Sequence, residues 1–158
     1  MNKHKVLQAS LLARRLAQEK RRGKCIVFTN GVYDLLHAGH VTLLEKSKRL
    51  GDILVVGINS DASVKRLKGP KRPLSGQNDR ALVLAALAAV DYVTFFGEDT
   101  PYELIQKLKP NILVKGGDYA NHDIVGRDLV KKVVRIPLVH GRSTSALIEK
   151  ILKAYGQK

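Results

Sequence analysis

Short, mostly apolar runs recur along the chain at Cys25 to Phe28, Ile53 to Ile58, Tyr92 to Phe96, Ile112 to Val114 and Val133 to Val139. Runs of this length read as strands, and their continuous apolar character suits a sheet covered on both faces. Between them lie segments with helical patterning: Val6 to Leu16, His40 to Leu50, Ala81 to Ala89, a short turn near Asp128 to Lys131, and Ser143 to Tyr155. Thr100-Pro101-Tyr102-Glu103 predicts one more helix, opened by a capping box with proline at its first position. A polar loop is expected from Asn59 to Asn78. Strands and helices alternating this regularly require right-handed crossovers, which predicts a Rossmann-like α/β fold: one doubly wound parallel sheet in a single domain. Such sheets bind ligands at the carboxyl ends of their strands, so chemistry is sought just after Phe28, Ile58, Val114 and Val139.

The 158 residues and 44% hydrophobic content suffice for one core. Lys and Arg interrupt every apolar stretch well short of the roughly 18 residues of a membrane span, and the first residues lack the apolar core of a secretory signal. The expectation is a soluble, cytoplasmic protein with no membrane partner. Cys25 is the single cysteine, which excludes an internal disulfide and a cysteine-based metal cage. The net charge of +14 is compatible with nucleic acid, a membrane surface or phosphorylated metabolites. The basic residues are scattered, only 5% of residues are aromatic and tryptophan is absent, so platforms for stacking bases are scarce. Phosphate-bearing small molecules are preferred and no nucleic-acid partner is expected.

Directly after the first run comes Asn30-Gly31-Val32-Tyr33-Asp34-Leu35-Leu36-His37-Ala38-Gly39-His40. Two histidines three apart at a helix start can both face one ligand. The small Ala38 and Gly39 let a phosphate approach the backbone, where free N–H groups and the positive end of the helix dipole meet it. Near the C-terminus Gly141-Arg142-Ser143-Thr144-Ser145 opens the last helix with a cluster of hydroxyls.

On these two motifs the sequence resembles the nucleotidyltransferase superfamily marked by HxGH, and the string Gly31 to His40 is similar to its cytidylyl- and adenylyltransferase branch. Four segments, Asn59-Ser60-Asp61-Ala62-Ser63, Arg66-Leu67-Lys68-Gly69-Pro70, Arg72-Pro73-Leu74 and Val114-Lys115-Gly116-Gly117-Asp118-Tyr119, look most like the heptose 1-phosphate adenylyltransferases. The resemblance runs from about Cys25 to Leu152. The helical spacing of Val6 to Leu16 predicts an N-terminal helix in residues 1–24, and the resemblance implies a nucleotidyltransferase domain in residues 25–158. Those enzymes make ADP-heptose for the lipopolysaccharide inner core, often joined to a sugar kinase; a chain of this length resembles the standalone form. One departure is at Arg142: the related glycerol-phosphate cytidylyltransferases carry Arg-Thr-Glu-Gly-Ile before the Ser/Thr turn, and only Gly141 and Arg142 remain recognisable here.

The resemblance implies attack by a sugar-phosphate oxygen on the α-phosphorus of ATP, with pyrophosphate leaving. The nucleophile is already anionic near pH 7, so positioned donors matter more than a general base. His37 and His40 are expected to donate to the α- and β-phosphates. Asn30, Gly31, Gly39 and the backbone of Val32 and Tyr33 lie beside the triphosphate, with Arg142, Ser143, Thr144 and Ser145. Lys115, Gly117 and Asp118 meet the nucleoside. Asp34 and Arg80 serve the acceptor, with Lys68, Lys71 or Arg72 closing over the triphosphate or the sugar phosphate. Mg²⁺ is expected to ride on phosphate oxygens, without a protein metal site. The family also implies a homodimer.

Taken singly, these residues have ordinary explanations. Ser143 and Thr144 serve as helix caps, Lys68, Lys71 and Arg72 as a solvated loop, Gly116-Gly117 as a tight turn capped by Asp118, and Arg80 as half of a surface ion pair; His4, His122 and His140 receive no role. Two other functions compete: a cytidylyltransferase acting on glycerol 3-phosphate or another alcohol phosphate, and a non-catalytic nucleotide or nucleic-acid binder. A dinucleotide-dependent dehydrogenase and a P-loop kinase each lack their glycine motif.

Overall fold

The computed structural model describes residues 2–117, 124–137, 141 and 143–156. Five strands, β1 (Ile26–Gly31), β2 (Ile53–Asn59), β3 (Tyr92–Phe96), β4 (Ile112–Gly116) and β5 (Lys132–Ile136), form one parallel sheet in the order β3-β2-β1-β4-β5. The helices are α1 (Ala9–Arg21), α2 (Ala38–Lys48), α3 (Asp61–Lys68), α4 (Gln77–Ala86), α5 (Tyr102–Leu108) and α6 (Thr144–Tyr155), with 3-10 turns at Asn2–Lys5 and Arg127–Leu129. This is the expected Rossmann-like α/β fold.

Successive strand side chains point to opposite faces, so each continuous apolar run supplies two cores. Ile26 and Phe28 of β1, Val55 of β2 and Leu113 of β4 pack on Leu12 and Leu16 of α1 and on Leu104, Ile105 and Leu108 of α5. On the other face Val27, Leu54, Val56, Ile58 and Val114 pack on Leu43 and Leu44 of α2 and on Ala81, Leu84 and Ala85 of α4. Polar side chains set the strands at their amino ends: Cys25 N–H donates to Asp52 (2.8 Å), Ile26 N–H to Asn111 (2.9 Å) and Leu54 N–H to Asp91 (2.7 Å). A bridge between Val6 and Val93 covers the β3 edge, while exposed Lys132 and Arg135 place charge on the β5 edge.

From β1 the chain moves outward to β2 and β3, then crosses back to β4 and β5. The direction reverses between β1 and β4, which opens a crevice at their carboxyl ends.

Several local expectations are corrected. The stretch from Asn59 to Asn78 contains α3, whose N-cap Ser60 accepts from Ser63 N–H (3.2 Å). Only Val64 and Leu67 carry apolar periodicity there, too few to announce a helix. Helix α4 starts at Gln77 rather than Ala81 and ends at Ala86 because Leu87 is extended. Pro101 itself takes the N-cap of α5, without a side-chain cap bond, so the proposed capping box does not form. Strand β1 runs on to Gly31, which places Asn30 and Gly31 on the strand rather than in the following loop. The last strand spans Lys132–Ile136, and Val139 lies outside the described residues.

Gly57 of β2 marks the closest approach of sheet and helix: a Cβ there would stand 2.8 Å from a Phe28 ring carbon and 3.0 Å from Leu104 Cδ2. Gly57→Ala is therefore expected to cost about 1–3 kcal/mol through overpacking, read as a lower urea midpoint with an unchanged slope.

Candidate active site

A cleft of about 560 Å³ opens at the carboxyl ends of the strands. Its walls combine the β1 terminus and following loop (Asn30 to Asp34), His40 of α2, Lys115 of β4, Thr144 and Ser145 of α6, and Lys68 and Arg72. The size is that of a small-molecule site, and the crevice between β1 and β4 is where this topology places one.

The loop after β1 is shaped by two unusual residues. Tyr33 has φ +51, in the left-handed region, and its ring is buried. Gly31 makes this possible, because a Cβ there would lie 3.0 Å from the Tyr33 ring. Burial pushes the Tyr33 hydroxyl up to about 12. Against this ring, at 4.9 Å and tilted by 55°, stands the imidazole of His40.

His37 is the N-cap of α2 and His40 lies in its first turn; the rings stack at 3.8 Å and 22°. Burial, reinforced by His37, pushes the His40 pKa down to about 4. His40 is therefore a neutral imidazole near pH 7. Its Nδ1 is buried and finds no hydrogen-bond partner among the described residues, an arrangement suited to a polar group arriving with a ligand.

Asp34 has 1% of its side chain exposed and holds the loop that leads into α4. It accepts from Arg72 Nε (2.5 Å), Leu74 N–H (2.8 Å) and Ser75 N–H (2.9 Å). Burial alone would raise its carboxyl; the Ser75 and Leu74 amides and the Arg72 guanidinium outweigh that and hold it below the usual carboxylate range. Arg72 thus lines the cleft already engaged. Lys68 also lines the cleft, whereas Lys71 is exposed and outside it.

Arg80 is the largest departure from expectation. It is neither a surface residue nor part of the cleft lining, for its side chain is wholly buried. It donates to the carbonyls of Ser75 (3.0 Å), Val32 (2.6 Å) and Asn59 (2.9 Å) and to the Asp61 carboxylate (2.7 Å). No part of the guanidinium is exposed to an acceptor phosphate in this arrangement.

On the far side Lys115 Nζ donates to Asn30 Oδ1 (2.8 Å), joining β4 to β1 across the crevice. Ser143 caps α6 by accepting from Ala146 N–H (3.1 Å), and Thr144 Oγ1 donates to Leu35 O (3.4 Å), which ties the second motif to the first. Gly39 is buried inside α2. Gly117, at φ +114, donates its N–H to Ile136 O (3.0 Å) beyond the end of β4. Asp118 and Arg142, with Tyr119, His122 and His140, lie outside the described residues.

Asn59, directly after Ile58 where chemistry is sought, lines the cleft, while sequence reasoning missed Leu67 of α3 and Asp99, Thr100 and Pro101 after β3. Asp99 accepts from Arg66 Nε (2.9 Å). For Asp99, Thr100 and Pro101 the signal was positional, since β3 also ends at this rim. No group of three or more His, Cys, Asp or Glu side chains suited to a metal ion occurs among the described residues. No helix there is long and apolar enough to cross a membrane.

Residues 28–153 match the cytidylyltransferase-like family. The chain is similar to the bifunctional protein HldE of Syntrophotalea carbinolica, 59% identical over 90% of this chain and 30% of that one. The corresponding protein of Geobacter sulfurreducens is 55% identical over 98% of this chain and 32% of its own. The chain thus spans about a third of the length of these relatives. Among solved structures, the lipopolysaccharide core biosynthesis protein of Thermoplasma volcanium is 32% identical, with a TM-score of 0.64 over 74% of this chain and 99% of that one.

Two expected outcomes follow from the geometry. Between the ordinary imidazole value of 6.5 and about 4, the unfolded chain binds a proton at His40 that the folded protein refuses. Stability contributed by neutral His40 is therefore complete above that window and falls as pH drops through it, so the urea midpoint of His40→Gln should decline less between about pH 7 and about pH 5 than the wild type. Arg80→Met removes four bonds and leaves Asp61 without its cation, at an expected cost of about 3–5 kcal/mol measured in the same assay.

Proposed function

The chain belongs to the cytidylyltransferase-like family, and on that premise we propose that it is an adenylyltransferase moving AMP from ATP to heptose 1-phosphate, yielding ADP-heptose and pyrophosphate for lipopolysaccharide core synthesis. The observation that carries this reading is His40 at the start of α2, set in one cleft with Thr144 and Ser145 at the start of α6 and stacked on His37, which lines a separate pocket with Ser143. The choice of acceptor rests on the likeness of Arg66 to Pro70 and of Val114 to Tyr119 to the heptose branch. The similar protein of Thermoplasma volcanium, a lipopolysaccharide core biosynthesis protein, supports the same choice.

An oxygen of the acceptor phosphate forms the new bond to the α-phosphorus as the α–β bridging P–O bond breaks, and the electron pair leaves on pyrophosphate. The nucleophile needs no base, so the protein's task is alignment and charge stabilisation. His40, neutral and partly desolvated, donates N–H to the triphosphate without adding charge, and His37 donates from the helix cap. The backbone of Val32 and Tyr33 flanks the triphosphate, with Asn30, Gly31 and Gly39. Thr144, Ser145 and the free amides at the start of α6 take its outer oxygens, with Ser143 as cap and Arg142 beside it. Gly117 and Asp118 receive the nucleoside, and Lys68, Lys71 or Arg72 closes over the phosphates. Arg80 supports the acceptor side through the Val32 and Asn59 carbonyls. ATP enters as its Mg²⁺ complex: the imidazoles, ammonium groups and hydroxyls of the cleft address phosphate oxygens, and the ion keeps phosphate and water ligands. Residues 25–158 carry this chemistry, with the helix of residues 1–24 as a brace, and the working form is a homodimer in the cytoplasm.

Pyrophosphate release with Mg²⁺, each of ATP, CTP, GTP and UTP, and heptose 1-phosphate or glycerol 3-phosphate tests the assignment. ATP with heptose 1-phosphate is the expected productive pair, and His37→Ala and His40→Ala should each cost on the order of 10²-fold or more in rate. Release confined to CTP with glycerol 3-phosphate would move the protein to the cytidylyltransferase branch.

A further inference from the structure

Resting on the nucleotidyl-transfer reading, the geometry points to Lys115 as a catalytic residue that bridges the acceptor phosphate and the transferred α-phosphate, in place of the nucleoside contact expected of it. The reaction must bring an anionic nucleophile against an anionic phosphoryl group, and a cation between them offsets that repulsion. The other groups in the cleft are poorly placed to supply it. His40 is neutral. Arg72 is neutralised by Asp34 at 2.5 Å. Arg80 lies outside the cleft with its donors turned to protein oxygens. Lys68 lines the cleft but is an exposed side chain in the last turn of α3.

Lys115 differs from all of these. It sits on strand β4 and is partly buried, facing the cleft at the point where the sheet reverses direction. Among the described residues its ammonium meets one hydrogen-bond partner, the neutral amide oxygen of Asn30. Burial lowers its pKa, and no carboxylate among the described residues acts in the opposite sense. A partly desolvated cation that meets no carboxylate among the described residues is held at a cost, which an arriving phosphate relieves. Asn30 fixes the direction of the ammonium without cancelling its charge.

The test pairs a binding measurement that does not depend on the sugar with a kinetic one. Titration calorimetry with inorganic phosphate, in the presence of the non-reactive analogue α,β-methylene-ATP, compares wild type, Lys115→Met and Lys115→Arg. Phosphate binding should weaken at least tenfold in Lys115→Met and be partly restored in Lys115→Arg. In the pyrophosphate assay kcat should fall on the order of 10²-fold in Lys115→Met, while KM for ATP stays within about threefold. Phosphate affinity and kcat unchanged in a folded Lys115→Met protein would overturn the inference. A wild type that binds phosphate through Lys115 but turns over no acceptor would instead sink the proposed activity and leave the anion seat standing.

Discussion

Arg80 carries a full positive charge with none of its side chain exposed, and the architecture of the cleft hangs on how that charge is met. Its three carbonyl acceptors belong to separate parts of the chain: Val32 after β1, Asn59 at the end of β2, and Ser75 in the loop before α4. Asp61 at the start of α3 supplies the compensating charge. One planar group thereby sets the relative position of three segments that form the rim. A second polar centre, Asp34, extends the same construction by fixing Arg72 and the amides of Leu74 and Ser75. The carbonyls of Val32, Asn59 and Ser75 are thereby engaged by Arg80.

Within that frame the charge distribution is graded. Buried positive charge is matched by protein oxygens, as at Arg80 and Arg72, or left to await an anion, as at Lys115. His40 adds a donor without adding charge, since burial and the stacked His37 ring at 3.8 Å disfavour its protonation.

The legibility of the protein in its sequence varied with the range of the interaction involved. Strand β2 was plain because Ile53 to Ile58 is apolar without interruption, and the histidine motif was plain because its spacing is itself the chemistry. Helix α3 was hidden because Ser60 starts it by a local cap while Val64 and the polar Ser63 are its buried residues, a single apolar position. The lining residues Asp99 and Thr100 were hidden for another reason: nothing about a carboxylate and a hydroxyl after β3 distinguishes them until β3 is known to end at the same rim as β1.

The sequence by itself determined the class of fold and the identity of the two motifs at the starts of α2 and α6, because apolar periodicity and motif spacing are local properties of the chain. Only the tertiary structure decided which charges are available. Arg80 and Lys115 look equally basic along the chain, yet one is surrounded by oxygens and the other meets a single neutral amide. Desolvation and pairing depend on segments distant in sequence, Val32 and Asn59 for Arg80 and Asn30 for Lys115. The electrostatics of the site therefore exist only once the sheet has brought those segments together.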